Sequence, residues 1–318
     1  MSQIVADALL LVVTVIWGTT FVVVKGTISD IKPFTFLAVR FFIGGLFLLL
    51  VLGVKNIVRD NKKTLFRPVR TQDKGVSGDH SEGEDSVQVR ELLKGSVVTG
   101  VTLFFSYATQ TFGLLTVPAG KAAFITGLSV VIVPLASAIL LKRVPERNAI
   151  LGVVLAACGL GLMSLTLPID IQHGDTLVFL CAIGFATHIL LIEKYSKSID
   201  PLIFATIQLF VVSLGSFIAA FLLERPLTIP NNTWGAISYT GIMATSLTIL
   251  IQSGVQKYTS ATHAALILSA EPVFGAFFAW ITIGEVLSTR EMFGAILILA
   301  GMLISEIDSL GSSGKKDV

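Results

Sequence analysis

Ten runs of mostly apolar residues fill nearly the whole chain. Each is close to the roughly 20 residues that a helix needs to cross a bilayer. They cover 6–24, 34–54, 92–113, 118–141, 148–165, 175–192, 202–223, 234–254, 260–283 and 291–304. Lipid cannot satisfy open backbone groups, so helices are the expected form. The runs are too long and too continuous for barrel strands. Of the 318 residues, 53% are hydrophobic and only 14% charged. Soluble domains carry about a quarter charged residues, so an ordinary soluble enzyme, a disordered chain and a disulfide scaffold are all excluded. The first run is too long for a signal core and lacks a basic leader, which makes it the first membrane helix. Cys158 and Cys181 both fall inside apolar runs and are expected as small core residues.

Most connections are short and carry breakers such as Lys32-Pro33, Asp200-Pro201 and Arg225-Pro226. The connection over 55–91 differs. Its first part is basic and its second, Gly78 to Asp85, is acidic and glycine-containing. It lacks the apolar content to fold alone. It is expected as a plain cytoplasmic loop or as a regulatory or lipid-headgroup contact. With the N-terminus inside, the inner connections hold most of the Lys and Arg, while the outer ones hold only Lys25, Lys32, Arg225 and Arg290. By the positive-inside rule both termini are cytoplasmic.

The chain also repeats itself. Shifting the C-terminal half by about 142 positions matches Gln110 with Gln252, Ala119 with Ala261, Ile125 with Ile267, Gly152 with Gly294 and Gly159 with Gly301. Upstream, Pro33 and Phe36 match Pro201 and Phe204 at a larger offset, because of the 55–91 insertion. Each repeat has five spans. Five is odd, so the second repeat is expected upside down relative to the first. The expected fold is therefore an all-α membrane protein of ten transmembrane helices in two inverted five-helix repeats. The repeats cover 1–54 with 92–166, and 174–307, leaving 55–91 as a polar loop and 308–318 as a tail. Such halves can open alternately to either side around a midplane site.

The residues Trp17-Gly18-Thr19-Thr20-Phe21, Pro33, Phe36 and Arg40, and Ala122-Ala123-Phe124-Ile125-Thr126-Gly127-Leu128 resemble the drug/metabolite transporter superfamily, in its EamA-type ten-helix branch. Glu271-Pro272-Val273, Gly284-Glu285, Gly294 and Gly301 extend the resemblance through the second repeat. The first repeat departs from the pattern: Ser129-Val130 replaces Glu-Pro and Lys142-Arg143 replaces Gly-Glu. The resemblance implies an inner-membrane metabolite carrier, often an exporter of amino acids or their derivatives. A drug or lipid-intermediate carrier is the alternative within transport. A scaffold, receptor or enzyme on the same fold is the alternative outside it.

An ionisable group at mid-bilayer costs about 2.5–3.5 kcal/mol on insertion scales, so each one is a candidate. Glu271 precedes Pro272, which removes a helix hydrogen bond. The acid can bind a substrate ammonium, carry a proton, or cap the broken backbone. Pro134 is expected to kink the fourth span near the matching position. Lys121 and its repeat mate His263 are candidate gates at the two mouths, or a snorkelling pair. Arg40 can snorkel, pair with a loop acid, or hold a carboxylate. Gln110 and Gln252 can lock helices or line a cavity. Trp17, Tyr107 and His188 are the remaining midspan polar or amphipathic groups. They suit either a cavity wall or core packing. Glu285 reads as a helix-end or salt-bridge residue. The glycine pairs Gly152/Gly159 and Gly294/Gly301 are expected to support close helix packing.

No metalloprotease, nucleophile-elbow or phosphate-loop motif is present, and the four histidines are scattered. The expectation is thus a carrier without cofactor, metal or catalytic residues, with coupling to protons through Glu271 left open. Its partners are a small-molecule substrate and the lipid bilayer, with no nucleic acid. One acid (Glu271) and one base (Lys121 or Arg40) suit an amino acid.

Overall fold

The computed structural model describes residues 1–58, 82–140, 142, 146–164, 172–283 and 288–313, and among them every regular element is helical. The helices are α1 (Gln3–Gly18), α2 (Thr20–Thr27), α3 (Pro33–Val58), α4 (Glu82–Gly113), α5 (Ala119–Gly127), α6 (Ser129–Leu140) and α7 (Arg147–Ser164) in the first half. The second half has α8 (His173–Tyr195), α9 (Pro201–Leu223), α10 (Trp234–Gly241), α11 (Thr248–Val255), α12 (Ala261–Leu268), α13 (Glu271–Ile283) and α14 (Thr289–Ser313). A π-helical turn, Ile242–Leu247, joins α10 to α11. Eight helical stretches among the described residues are long and apolar enough to span a membrane. The fifth and tenth runs are the exceptions: Arg147–Met163 is a shorter apolar helix, and α14 opens with Arg290 and Glu291.

The surface is that of a membrane protein. Leu50, Ile139, Leu222 and Leu223 are each about 70% exposed, while Gln208, Ser216 and Ser253 are fully buried. Several buried threonines turn back on their own helices. Thr14 donates to Leu10 O, Thr99 to Gly95 O and Thr206 to Leu202 O, so these hydroxyls carry no unmet bond into the apolar interior. At its start, α9 has Asp200 as N-cap, with its carboxylate accepting from the backbone of Leu202 and Ile203 and with Pro201 in the first turn.

Exchanging the two halves maps the packing onto itself. The helix α1 packs on α11, α12 and α13, just as α8 packs on α4, α5 and α6. Contacts of α10 with α3 match those of α4 with α9, while α3·α9 and α7·α14 are their own counterparts. The last contact is the closest. A Cβ added at Gly152 would stand 2.6 Å from Gly301 O, and one at Gly301 2.5 Å from Gly152 O. Gly159 and Gly294 block each other in the same reciprocal way. Two glycines seven residues apart on each helix therefore let the backbones of α7 and α14 touch at two levels.

Several expectations are corrected. The fourth span breaks at Leu128, between α5 and α6, and not at Pro134, which sits inside α6 with helix on both sides. The break follows Gly127, with Leu128 N donating to Ile125 O in a tight turn. The ninth span breaks at Ser269 and Ala270, one residue before Glu271. This leaves Pro272 in the first turn of α13, where a missing N–H costs nothing. Helix enters the polar connection from both ends, since α3 runs to Val58 and α4 starts at Glu82; the stretch between lies outside the described residues, as do Arg143, Gly284 and Glu285. Cys181 is buried, but Cys158 is exposed, because the glycine face of α7 is the one turned inward.

Candidate functional site

The breaks in the first, fourth and ninth spans converge on one cavity. At the first, Thr19 separates α1 from α2, and its Oγ1 donates to Ile16 O. Gly18 allows this approach. A Cβ there would meet Gly275 N and Phe274 Cβ at 2.8 Å, so α1 can lie directly against α13. Trp17 and Glu271 thereby share the same wall space.

Seven of the nine residues singled out from the sequence line this cavity: Trp17, Arg40, Tyr107, Gln110, His188, Gln252 and Glu271. Lys121 and His263 do not. Lys121 Nζ lies 2.7 Å from Asp175 Oδ2, and His263 Nε2 lies 2.9 Å from Ser305 O. Of the two candidate kink residues, Pro272 lines the cavity and Pro134 does not. Sequence reasoning passed over Thr20, Thr126 and Ser129, which also line it. The signal for Ser129 was present, since the offset that pairs Gln110 with Gln252 pairs Ser129 with Glu271.

That relation is general along the wall. Trp17 with Phe185, Thr20 with His188 and Phe21 with Ile189 are related by the offset that pairs Pro33 with Pro201. Gln110 with Gln252, Thr126 with Leu268 and Ser129 with Glu271 are related by the other. Both members of each pair line the cavity, so the two halves contribute equivalent positions. The charges break this equivalence. Glu271 faces a serine mate, and Arg40 has Gln208 as its mate.

Arg40 is 2% exposed, which excludes the headgroup position open to it in the sequence. Loop acid Glu224 is occupied elsewhere. Its carboxylate accepts from Phe34 N and Thr35 N at 2.8 Å and from Thr35 Oγ1 at 2.9 Å, capping α3. The Arg40 guanidinium instead lies over the rings of Tyr107, Phe41 and Phe36, at 5.0, 5.5 and 5.8 Å from their centroids. Its Nε donates to Thr245 Oγ1 at 2.8 Å. Thr245 stands in the π-helical turn, and Gly241 at its edge lets α10 touch α3: a Cβ there would meet Arg40 O at 2.7 Å. This turn also exposes Ala244 O, which accepts from Trp17 Nε1 at 2.9 Å. A local widening of the eighth span thus fixes two cavity residues, a common use of π turns.

Tyr107 lines the cavity with both charges and lies under the Arg40 guanidinium. Its ring packs edge-on against Phe41 and Phe185, with centroids 4.9 and 5.2 Å away. Among the described residues, Glu271 has no basic side chain and Arg40 no carboxylate in ion-pair contact. Glu271 begins α13, so the helix end adds partial positive charge at the carboxylate. The cavity therefore offers a cation at one place, an anion at another, and aromatic rings in the same wall. No group of three His, Cys, Asp or Glu residues among the described residues is arranged to hold a metal.

Comparison with known proteins gives a consistent family. The profile of the EamA-like transporter family matches residues 4–165 and 172–306. An uncharacterized transporter of Archaeoglobus fulgidus is 31% identical, over 94% of this chain and 85% of its own length. The uncharacterized transporter YoaV of Bacillus subtilis is 23% identical, over 92% of this chain and 94% of its own. A solved crystal structure superposes with a TM-score of 0.72 at 14% identity, over 96% of this chain and 98% of that one, a likeness of fold.

Proposed function

Since the chain belongs to the EamA-like transporter family and is a multi-pass membrane transporter, we propose that it carries amino-acid zwitterions by alternating access between two inverted halves. The observation that carries this reading is the pairing of Arg40 and Glu271 in one cavity, one from each half, each without an opposite charge from the protein among the described residues. A zwitterion supplies both missing partners at once. Its carboxylate meets the planar guanidinium, and its ammonium meets Glu271. A phosphate-bearing substrate would call for more buried cations than this wall holds.

The packing supports the inverted arrangement. Two glycine-lined helices that touch reciprocally, Gly152 on Gly301 and Gly159 on Gly294, fit a twofold axis between halves. The broken fourth and ninth spans meet the cavity from opposite halves, as in many secondary carriers. The Lys and Arg distribution supports a cytoplasmic-membrane carrier with both termini inside, and the family pattern favours export. No reaction chemistry is required of the site, and the protein acts as a carrier and not an enzyme. Glu271 is also the group through which protons would couple to transport.

The test is counterflow. Purified protein in liposomes is preloaded with single amino acids, and uptake of the labelled compound is followed. Exchange with a defined group, lost in Glu271→Gln and in Arg40→Gln protein that is still folded, is the expected result. The aromatic wall of Trp17, Phe21, Tyr107 and Phe185 favours one second reading, a carrier of bulky apolar compounds. Competition by uncharged aromatic compounds, with silence across the amino-acid panel, would establish that reading in place of the first.

A further inference from the structure

Hydrogen-bond polarity in the cavity wall follows from two chains of side chains that end on backbone carbonyls, because a carbonyl only accepts. The first chain ends on Ile189 O. Gln256 Nε2 lies 2.5 Å from it and donates. Gln256 Oε1 is then left to accept, and Gln252 Nε2 donates to it at 3.3 Å. Gln252 Oε1 is consequently fixed as an acceptor. It is buried and has no hydrogen-bond partner among the described residues.

The second chain ends on Phe204 O. Gln208 Nε2 donates there at 3.2 Å. Gln208 Oε1 lies 2.9 Å from His188 Nε2 and accepts from it. His188 thus carries a proton on Nε2, and its neutral ring offers Nδ1 as a second acceptor. The two chains are neighbours, because Ile189 follows His188 on α8. Gln252 and His188 line the same cavity as Glu271.

We propose that Gln252 Oε1 and His188 Nδ1, with the Glu271 carboxylate, form a site that recognises the N–H bonds of the substrate's ammonium and so selects primary ammonium over N-methylated groups. The proposal rests on the amino-acid reading above and adds to it a rule for the nitrogen. Three acceptors match three N–H donors. A trimethylammonium group keeps the charge and offers none, leaving buried acceptors unpaired. Gln256 is a positioning residue. It touches no substrate, but it holds the Gln252 amide in the accepting orientation.

The experiment is competition in the counterflow assay, using the full chain in liposomes. The competitors are the amino acid that exchanges and its N-methyl, N,N-dimethyl and N,N,N-trimethyl forms. In the wild type, the trimethyl form is expected to compete at least about tenfold more weakly than the primary amine, with the intermediates graded between. Gln252→Leu removes the acceptor at similar volume, and Gln256→Leu releases the Gln252 amide. Each is expected to narrow that ratio, which bulk alone would leave unchanged. Equal competition by all four forms in the wild type would overturn the proposal while leaving the carrier reading intact. A ratio unchanged in both variants would overturn it too, by assigning selectivity to steric exclusion. If one variant is not recovered folded, the other decides, since Gln252→Leu and Gln256→Leu remove the same oriented acceptor. No exchange of any amino acid would overturn both readings together.

Discussion

Lys121 and Asp175 form an ion pair, Nζ to Oδ2 at 2.7 Å, that ties α5 to the first turn of α8. Asp175 Oδ2 also accepts from Gln172 N at 2.7 Å, so one carboxylate both caps α8 and holds α5. The repeat offsets relate Asp175 to Asp7 and Lys121 to His263. These mates are buried on α1 and α12, which also pack together. Equivalent contacts thus join the two halves twice, α5 to α8 with lysine and α1 to α12 with histidine.

Asp175→Asn is expected to lower the thermal stability of the detergent-solubilised protein more than Lys121→Met does, because it weakens the helix cap as well as the pair. With the Asp175 side chain 7% and the Lys121 side chain 26% exposed, the loss should be about 1–2 kcal/mol, between the limits for surface and buried pairs. The double variant should cost less than the sum of the two. Unfolding temperatures equal to wild type would show that the pair contributes no stability.

The Arg40 guanidinium is held by its shape as much as by its charge, through three ring faces and one bond to Thr245. Lysine keeps the charge and loses the stacking plane and the Nε donor. Arg40→Lys is therefore expected to raise the concentration of amino acid needed for half-maximal exchange by about tenfold or more, as for a lost charge-assisted bond. An amine lacking the carboxylate should compete equally well in wild type and variant. If Arg40→Lys weakened that amine as much as the amino acid, Arg40 would not be the carboxylate partner.

Gly159 and Gly301 are placed where a methyl group has no room, at 2.5 Å from the opposing carbonyl oxygen. Alanine at either position must push α7 and α14 apart, at about 1–3 kcal/mol for overpacking. Gly26 gives the control. It is exposed in a helix, with nothing within 4 Å of an added Cβ, and alanine there is expected to be neutral or stabilising by up to about 1 kcal/mol. Thermal unfolding of the three variants side by side checks the contrast. Equal behaviour of all three would mean that α7 and α14 are not in backbone contact.

How far the sequence could be read depended on what kind of physics set each feature. Helices, their approximate ends and the repeat follow from hydropathy and residue identity, which are local. Cavity residues that are rare in lipid, such as Glu271, Gln252 and His188, stood out by their cost. Ser129 and Thr126 did not, because hydroxyls are common in membrane helices and usually bond their own backbone. The Leu128 break was hidden behind Pro134, a stronger local signal that the surrounding helix absorbs. Arg40 looked like a headgroup contact by depth. Its burial depends on Gly241 and the π-helical turn, which lie some 200 residues away in sequence and carry no signature of their own. Lys121 and His263, repeat mates by the offset, lie outside the cavity, since Asp175 and Ser305 hold them elsewhere.

Orientation is the remaining test, and its outcome decides which side each half opens to. Exposed Cys158 must first be replaced, since it would react alongside any introduced thiol, and buried Cys181 is best replaced with it. A single cysteine is then placed either at Ser29, exposed in the turn between α2 and α3, or within the 59–81 connection. From the excess of Lys and Arg in and around that connection, the positive-inside rule predicts that it faces the cytoplasm. A membrane-impermeant maleimide should therefore label position 29 in intact cells and the connection only after permeabilisation. The opposite pattern would invert the topology. It would also place Lys121 and Asp175 at the cytoplasmic end and Asp7 and His263 outside, so the histidine-bearing end would face the external pH and the lysine-bearing end the cytoplasm.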